Sequence, residues 1–509
     1  MRFTEVKMKR LASTHLADIY QGLSSNFYEV KQAVLSEKEK AFADFLVKDI
    51  SRGSSFKGKF EGISKDFFDD FGEAVIPIVE MNSLSQKMPS KQVFTELLGG
   101  MIGAVSKIDF VKEKEFFSEY VLHNAVGLKQ LAFFSLDDNL EELMVNGQNG
   151  VFVFHKMHGM CKTNITIGER DLDNLVQKIA STIGKEFNQK NALLDARLPD
   201  GSRVNATLPE LSPTGISLTI RKFSPVPLTI LDLIENGSLT SEAAAFLWTM
   251  VDGLGTYPQN ILVAGGTASG KTTFLNILSN FVRPSERIVS IEDTIELSLL
   301  ARENWVALEA RNYSGSEITM DALLKNSMRM RPDRIVVGEV RGSEALTLFT
   351  AMDTGHQGCL GTIHANNSRE TLVKLAERPL SVPQAMLPLL DFIIITQRHY
   401  SKEKGMQRRV TQIVELSRME DKVLSGTLFD FDPKHDLLFR TEIQGRVVEE
   451  MAEQNSMTKN ELKKEIEARK SVLDWMIAQG IRKPLEVLEV IDSYYFNPKK
   501  VLSTISGLQ

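Results

Sequence analysis

One stretch constrains the fold of this chain more than any other: "NILVAGGTASGKTTFLNIL", residues 260–278. Gly265 to Thr272 match the pattern G-x-x-x-x-G-K-[ST]. An apolar run precedes the loop and a helix-spaced run follows it. Glycines let the backbone curl so that successive N–H groups face a phosphate, and the start of the helix adds its dipole. The expected cradle is Gly265, Gly266, Thr267, Ala268, Ser269, Gly270, Lys271, Thr272 and Thr273. In such a loop Lys271 reaches the β- and γ-phosphates of a nucleotide, and the hydroxyl of Thr272 holds Mg2+.

A loop of this kind needs a parallel sheet around it, and the rest of the sequence supplies one. From about 225 to 440, "NILVAGG", "RIVSIED", "RIVVGEV", "GCLGTIHA" and "FIIITQ" alternate with helical stretches. This is the signature of an α/β fold, a mostly parallel sheet with helices on its faces. With 509 residues there is room for roughly three domains. Residues 1–130 read as mostly helical, with helix-spaced apolar positions in "QVFTELLGGMIGAV" and "FFSEYVLHNAVGL" and a loop at "RGSSFKGKFEGISKD". Residues 131–224 read as a small α+β domain. Short β-rich runs in "ELMVNGQNGVFVFHKMHGMCKTNITI" precede a helix, then a Pro-Asp-Gly turn and a last strand, "GISLTIRKF". "SPVPLT" (224–229) reads as a linker. Residues 441–509 form a helical tail. In it, Thr458 and Glu461 make a capping box, Gly480 is a stop, and Leu462, Ile466, Leu473 and Ile477 share one face.

A net charge of -6 weighs against a nucleic-acid partner. Two isolated cysteines, Cys161 and Cys359, exclude a disulfide framework and a four-cysteine zinc module. The opening "MRFTEVKMKRLASTHLADIY" is too polar for a signal peptide. Apolar runs such as "FIII" (392–395) are far shorter than the ~20 residues that span a bilayer. The expectation is a cytoplasmic protein that reaches a membrane only through a partner.

Phosphoryl transfer to water needs carboxylates beside the loop. "RIVSIEDTIEL" ends an apolar strand with Glu292, Asp293 and Glu296, and "DRIVVGEVR" ends another with Glu339 and Arg341. Strand ends are where α/β sheets bind ligands. A third stretch, "TGHQGCLGTIHANN" (354–367), sets His356 and His364 around Cys359. One cysteine with two histidines is short of a zinc site. Cys359 also lies in an apolar run, where a reactive thiolate is disfavoured.

In this order, the P-loop, "SIEDTIEL", "RPDRIVVGEVR" and "TGHQGCLGTIHANN" resemble the Walker A loop, aspartate box, Walker B ending in Gly-Glu, and histidine box of the secretion ATPase superfamily. Its members are the motors of type II and type IV secretion, type IV pili and the archaellum. Upstream, "LPDGSRVN" and "ISLTIRKFS" resemble that family's arginine-bearing segments. The resemblance implies a RecA-like P-loop NTPase core with helices on both faces, a smaller α+β PAS-like domain and a helical N-terminal domain. It implies ATP and Mg2+ as cofactors and a hexameric ring. It also implies a polytopic membrane platform protein as partner, at the inner face of the cell membrane.

Residue by residue, Glu296 matches the catalytic glutamate that polarises water, with Glu292 and Asp293 supporting metal and water. Glu339 stands where Walker B usually has aspartate, so the expected metal set is Thr272, Glu339 and Asp293. His364 matches the histidine that senses the γ-phosphate or stabilises a neighbouring strand, with His356 as its partner. Arg197, Arg203 and Arg221 match the arginines that close on the phosphates. The chain departs from bacterial type II members in lacking a four-cysteine module and in reading Glu-Asp-Thr for Glu-Asp-Pro. "LPDGSRVN" and "EDTIEL" look more like archaeal members. Two other functions share parts of the pattern. One is a DNA-dependent RecA-like translocase or conjugation-type ATPase. The other is a nucleotide-gated docking protein with little turnover, which the intact carboxylates weigh against.

Overall fold

The structure, a computed structural model, describes residues 9–14, 17–22, 25–31, 36–52, 99–106, scattered positions from 108 to 131, and 133–198, 201–223, 227–299, 301–313, 316–401, 405–419, 422–443 and 445–506. The chain divides into two compact units, Met1–Phe223 and Ser224–Gln509.

The first unit is built on a nine-stranded sheet. Its strands are β1 (Arg10–Ser13), β2 (Ala17–Tyr20), β3 (Asn26–Val30), β4 (Leu140–Asn146), β5 (Val151–His155), β6 (Gly159–Thr163), β7 (Leu193–Arg197), β8 (Arg203–Thr207) and β9 (Ser217–Arg221). Their order is β1-β2-β3-β6-β5-β4-β9-β8-β7. Alternation puts Leu143, Val145, Val151, Val153 and Cys161 inside, where the helix Glu169–Thr182 meets them with Leu172, Leu175, Val176 and Ile179. The antiparallel run β5-β4-β9-β8-β7 with this helix is the PAS-like arrangement.

Residues 10–30 correct the expectation of a mostly helical start. They are three strands, and β3 joins β6 in parallel. Their period-two signal is real, with Ala17, Ile19, Tyr28 and Val30 buried, but it lasts only four or five residues at a time. Helix does follow at Glu37–Arg52. The expected loop at 53–66 and most of "FFSEYVLHNAVGL" lie outside the described residues, as do Pro199, Asp200 and 224–226.

The second unit carries the phosphate loop. Its main sheet runs β12-β11-β15-β16-β10-β17-β18-β19-β20. The ranges are β10 (Ile261–Gly265), β11 (Ile288–Glu292), β12 (Trp305–Glu309), β15 (Arg334–Val340), β16 (Leu360–Ile363), β17 (Phe392–Ser401), β18 (Gly405–Met419), β19 (Lys422–Asp432) and β20 (Leu437–Arg440). Two short strands, β13 (Arg311–Tyr313) and β14 (Ser316–Ile318), form a separate hairpin. Strands from β12 to β17 are parallel, and β17 to β20 is an antiparallel meander. With β16 between β10 and β15, this is a RecA-like core.

Each central strand is buried on both sides, so its alternate residues enter two different cores. Ile261, Val263, Leu360 and Ile394 pack with Phe246, Trp248, Leu462, Leu473 and the phosphate-loop helix residues Phe274 and Leu278. Leu262, Ala264, Ile335, Val337, Ile363 and Ile395 pack with Leu324, Leu348, Phe349 and Leu375 on the other face. The tail forms helices Arg446–Gln454, Lys459–Ala478, Pro484–Phe496 and Pro498–Ser506. The capping box of Thr458 and Glu461 is present, and Gly480 takes φ +70° after the helix. Leu462, Ile466 and Leu473 are buried; Ile477 is half-buried, and Val472 and Met476 complete the inward face. Among the described residues, no helix is long and apolar enough to cross a membrane.

Candidate active site

Strands β12, β11, β15, β16, β10 and β17 run the same way, so their C-terminal ends share one edge of the sheet. The phosphate loop leaves β10 there and enters the helix Lys271–Ser279. Gly265 has no room for a side chain, since a Cβ would strike Ser269 Oγ and Thr396 of β17. Thr396 Oγ1 lies 3.1 Å from Ser269 Oγ, which pins the loop to its neighbouring strand. Lys271 Nζ donates to Gly266 O at 3.0 Å, and Ser269 N–H reaches the same carbonyl at 3.3 Å. Gly266 also abuts Asn366, which follows β16.

The carboxylates arrive on β11 and β15. Asp293 follows β11, and Glu339 lies near the end of β15. Arg341 bridges them, donating to Glu339 Oε2 and lying 3.3 Å from Asp293 Oδ2. Those contacts hold the Arg341 guanidinium more firmly charged, the hydrogen bond to Glu339 first among them.

Glu296 sits in the irregular segment after β11, and its backbone is held with unusual completeness. Ile295 N–H donates to Glu309 Oε1 (3.2 Å) and Ser298 N–H to Asn276 Oδ1 (2.8 Å). Glu296 and Leu297 N–H both donate to Glu292 Oε2, at 2.8 and 3.1 Å. Four consecutive amides are thus satisfied by three side chains from β11, β12 and the phosphate-loop helix.

Glu292 therefore faces inward. It is 2% exposed, and burial pushes its carboxyl up to about 7 against the two amides that favour its charge. Its Oε1 has no hydrogen-bond partner among the described residues. Gly338 makes space for it, since a Cβ there would come 2.8 Å from Glu292 Cγ. Glu292, expected to support metal and water, holds the backbone of Glu296 and Leu297.

The two histidines are separated. His364 is exposed just past β16, between β15 and the phosphate loop, and its carbonyl accepts from Lys374 Nζ at 2.7 Å. His356 precedes β16, in the turn after the helix Glu344–Asp353, and its Nδ1 lies 3.3 Å from Ala351 O. A four-residue strand at ~3.3 Å per residue lies between them. His356 thus precedes β16 and His364 follows it. Cys359 is fully buried, donates to His356 O, and is pushed up to about 12 by burial. It is a core residue.

In the first unit, Arg197, Arg203 and Arg221 form a row. Arg197 is directly opposite Arg203 across β7–β8, and Arg203 is directly opposite Arg221 across β8–β9. Directly opposed residues share a face, and like charges there repel. Asp195 and Glu142 lie 4.0 Å from Arg203 and Arg221 respectively. Arg197 leans over the Phe223 ring, with its Nε buried and unpartnered among the described residues.

The donor set on the second unit suits magnesium. Thr272, Glu339 and Asp293 offer hard oxygen ligands on one sheet edge, and both carboxylates, though bridged by Arg341, keep oxygen lone pairs for a cation. Asn276, Glu309 and Gly338 were missed by sequence reasoning. Glu309 had a signal, since it ends the apolar run "NWVALE" as Glu292 ends its own. Asn276 had none.

Sheet order, phosphate loop and strand-end carboxylates define a P-loop NTPase fold of the RecA-like class. Residues 132–481 match the family described as Type II/IV secretion system protein, and the chain belongs to it. An uncharacterized protein of Methanocaldococcus jannaschii is 32% identical over 450 residues, covering 82% of this chain and 80% of that one. A second from the same organism is 41% identical over 339 residues, 65% of this chain; only 45% of its own length is spanned. VirB11 of Agrobacterium fabrum is 32% identical over 271 residues, 47% of this chain and 76% of that protein. Among solved structures, the VirB11 ATPase of the Brucella suis type IV secretion system aligns at TM-score 0.30 and 26% identity, over 57% of this chain and 93% of that one.

Proposed function

We propose that this protein is a motor ATPase that hydrolyses ATP to ADP and phosphate to drive a filament-assembly or secretion machine. The observation that carries the reading is the joint presence, on one sheet edge, of a complete phosphate loop and of Glu296 on a backbone fixed by four side-chain bonds. A switch that only bound nucleotide would need the loop and not the fixed carboxylate. Glu296 orients the attacking water, with its position set by Glu292, Glu309 and Asn276. Lys271 and the loop amides bind the phosphates, and His364 senses the terminal one. Bound through Thr272, Glu339 and Asp293, Mg2+ would neutralise phosphate charge.

The arginine row of the first unit has the charge to recognise a polyphosphate, and a domain moves on binding only if affinity differs between its positions. Arg203 and Arg221 are proposed to supply that difference in a homo-oligomeric ring, with a membrane platform protein as load. Family membership and the VirB11 and type IV secretion names of relatives support this reading at the level of the machine class. Archaellum rotation, pilus assembly and type II-like secretion are its three specific forms.

The test is a substitution series. Glu296→Gln should bind ATP like wild type and lose hydrolysis by at least about a hundredfold; near-normal turnover removes Glu296 from the role. Lys271→Ala should lose both binding and turnover. Addition of DNA should leave the rate unchanged.

A further inference from the structure

Beyond the four motifs, one cation reaches the phosphate loop from a part of the fold that none of them contains. Arg408 lies on β18, whose backbone at this point is anchored by Ser238 Oγ donating to Arg408 O at 2.9 Å. Its Nε donates to Ala268 O at 3.1 Å. Its stem lies over Gly270, with Cδ 3.2 Å from where a Cβ would stand. Ala268 has φ +57°, a left-handed conformation that a residue with a Cβ adopts only when its surroundings hold it there.

The geometry has a direct consequence for the loop amides. A trans peptide points its C=O and N–H in opposite directions. By gripping the carbonyl of Ala268 from outside, Arg408 turns the N–H of Ser269, in the same peptide unit, toward the loop interior. There it meets Gly266 O, the atom on which Lys271 also converges. The two cations thus act on opposite sides of the loop, Lys271 from within and Arg408 from the flank. Arg398 of β17 is directly opposite Arg408. It lies two residues beyond Thr396, which bonds Ser269, so Thr396, Arg398 and Arg408 share the sheet face that looks onto the loop. Opposed like charges destabilise a strand pair, and a polyphosphate beside them would relieve that cost.

We propose that Arg408, supported by Arg398, is a positioning residue of the nucleotide site: by holding the Ala268 carbonyl it fixes the loop turn that Ser269 N–H closes on Gly266 O, and it adds positive charge to the polyphosphate pocket. This rests on the ATP-binding reading above. Its effect should fall on affinity rather than on the chemical step.

The experiment compares full-length wild type, Arg408→Gln, Arg408→Lys and Lys271→Ala by binding of a fluorescent ATP analogue and by steady-state hydrolysis, with thermal melts as the folding control. Arg408→Gln should melt like wild type, weaken analogue binding and raise KM by roughly ten- to a hundredfold, as for loss of a charge-assisted hydrogen bond, and change kcat by less than about threefold. Arg408→Lys, which keeps charge and a donor, should recover most of the lost affinity. Wild-type affinity in Arg408→Gln, or a fall in kcat at unchanged KM, overturns the inference alone. A wild-type chain that binds no analogue overturns it together with the ATPase reading, and wild-type binding lost in Lys271→Ala keeps that reading intact whatever Arg408 does.

Discussion

Glu292 shows how one buried side chain can hold the segment that carries another. Its carboxylate holds two amides of the segment that carries Glu296, and Gly338 leaves it the space to do so. Gly338→Ala should push Glu292 aside and lower turnover by about tenfold or more, with ATP affinity little changed, because the phosphate loop is not disturbed. Glu292 also has a pH signature. Its carboxyl is raised from 4.5 to about 7, so between those values the unfolded chain loses a proton that the folded chain keeps. That carboxyl therefore contributes stability below pH 4.5, loses it progressively up to about 7, and is level above. The loss is of order 3 kcal/mol. Melting temperature followed from pH 4.5 to 8 should fall more steeply in wild type than in Glu292→Gln, which keeps an acceptor for both amides. The parts of this candidate site that are local were legible beforehand: a phosphate loop is a single run of residues, Glu292 and Glu339 lie at the ends of apolar runs, and Glu296 was pointed to by the family resemblance. What escaped were partners supplied from elsewhere. Asn276 reads as one more polar residue on a helix, Glu309 and Arg408 as ordinary strand residues, and only the folded sheet brings them to the loop and the Glu296 segment.

At the scale of elements, the same contrast separates what periodicity reveals from what it conceals. The helix Lys459–Ala478 was readable from its cap, its apolar face and its glycine stop. Its most consequential contact was not. Arg469, on the buried face, is 2% exposed, donates to Asp252 Oδ2 at 2.8 Å and to Glu465 Oε1 at 2.9 Å, and lies against the rings of Trp248, Tyr494 and Tyr495. Asp252 is fully buried and also takes Arg283, just beyond the phosphate-loop helix. This joins the tail to the far end of that helix. Asp252→Ala leaves Arg469 charged and half-paired in the interior, and should cost about 3 kcal/mol or more in chemical denaturation. A double variant, Asp252→Leu with Arg469→Met, should be less destabilised than the single one, because an apolar pair owes no desolvation. A larger loss in the double variant would count against that account.

The whole molecule adds constraints that neither residues nor elements contain. Residues 10–30 belong to the first unit's sheet: β3 pairs with β6, Val30 N–H reaches Asn164 Oδ1 at 2.9 Å, and Tyr28 Oη donates to Asp137. A chain begun at residue 131, the boundary that composition suggested, would bare the edge of β6 and the cavity left by Tyr28. Such edges pair with other chains, and it should aggregate at concentrations where the full-length protein stays dispersed, as light scattering would show. In the second unit, the strand that delivers the phosphate loop ends at Gly265, yet its neighbours on either side are β16, from Leu360, and β17, from Phe392. A growing polypeptide therefore completes its nucleotide-binding loop long before the ribosome has made the strands that fix it. Contacts so distant in sequence close late. The loop gains its flanking strands only when the chain is past Thr396, so on the proposed reading ATP would recognise copies that have already made β17.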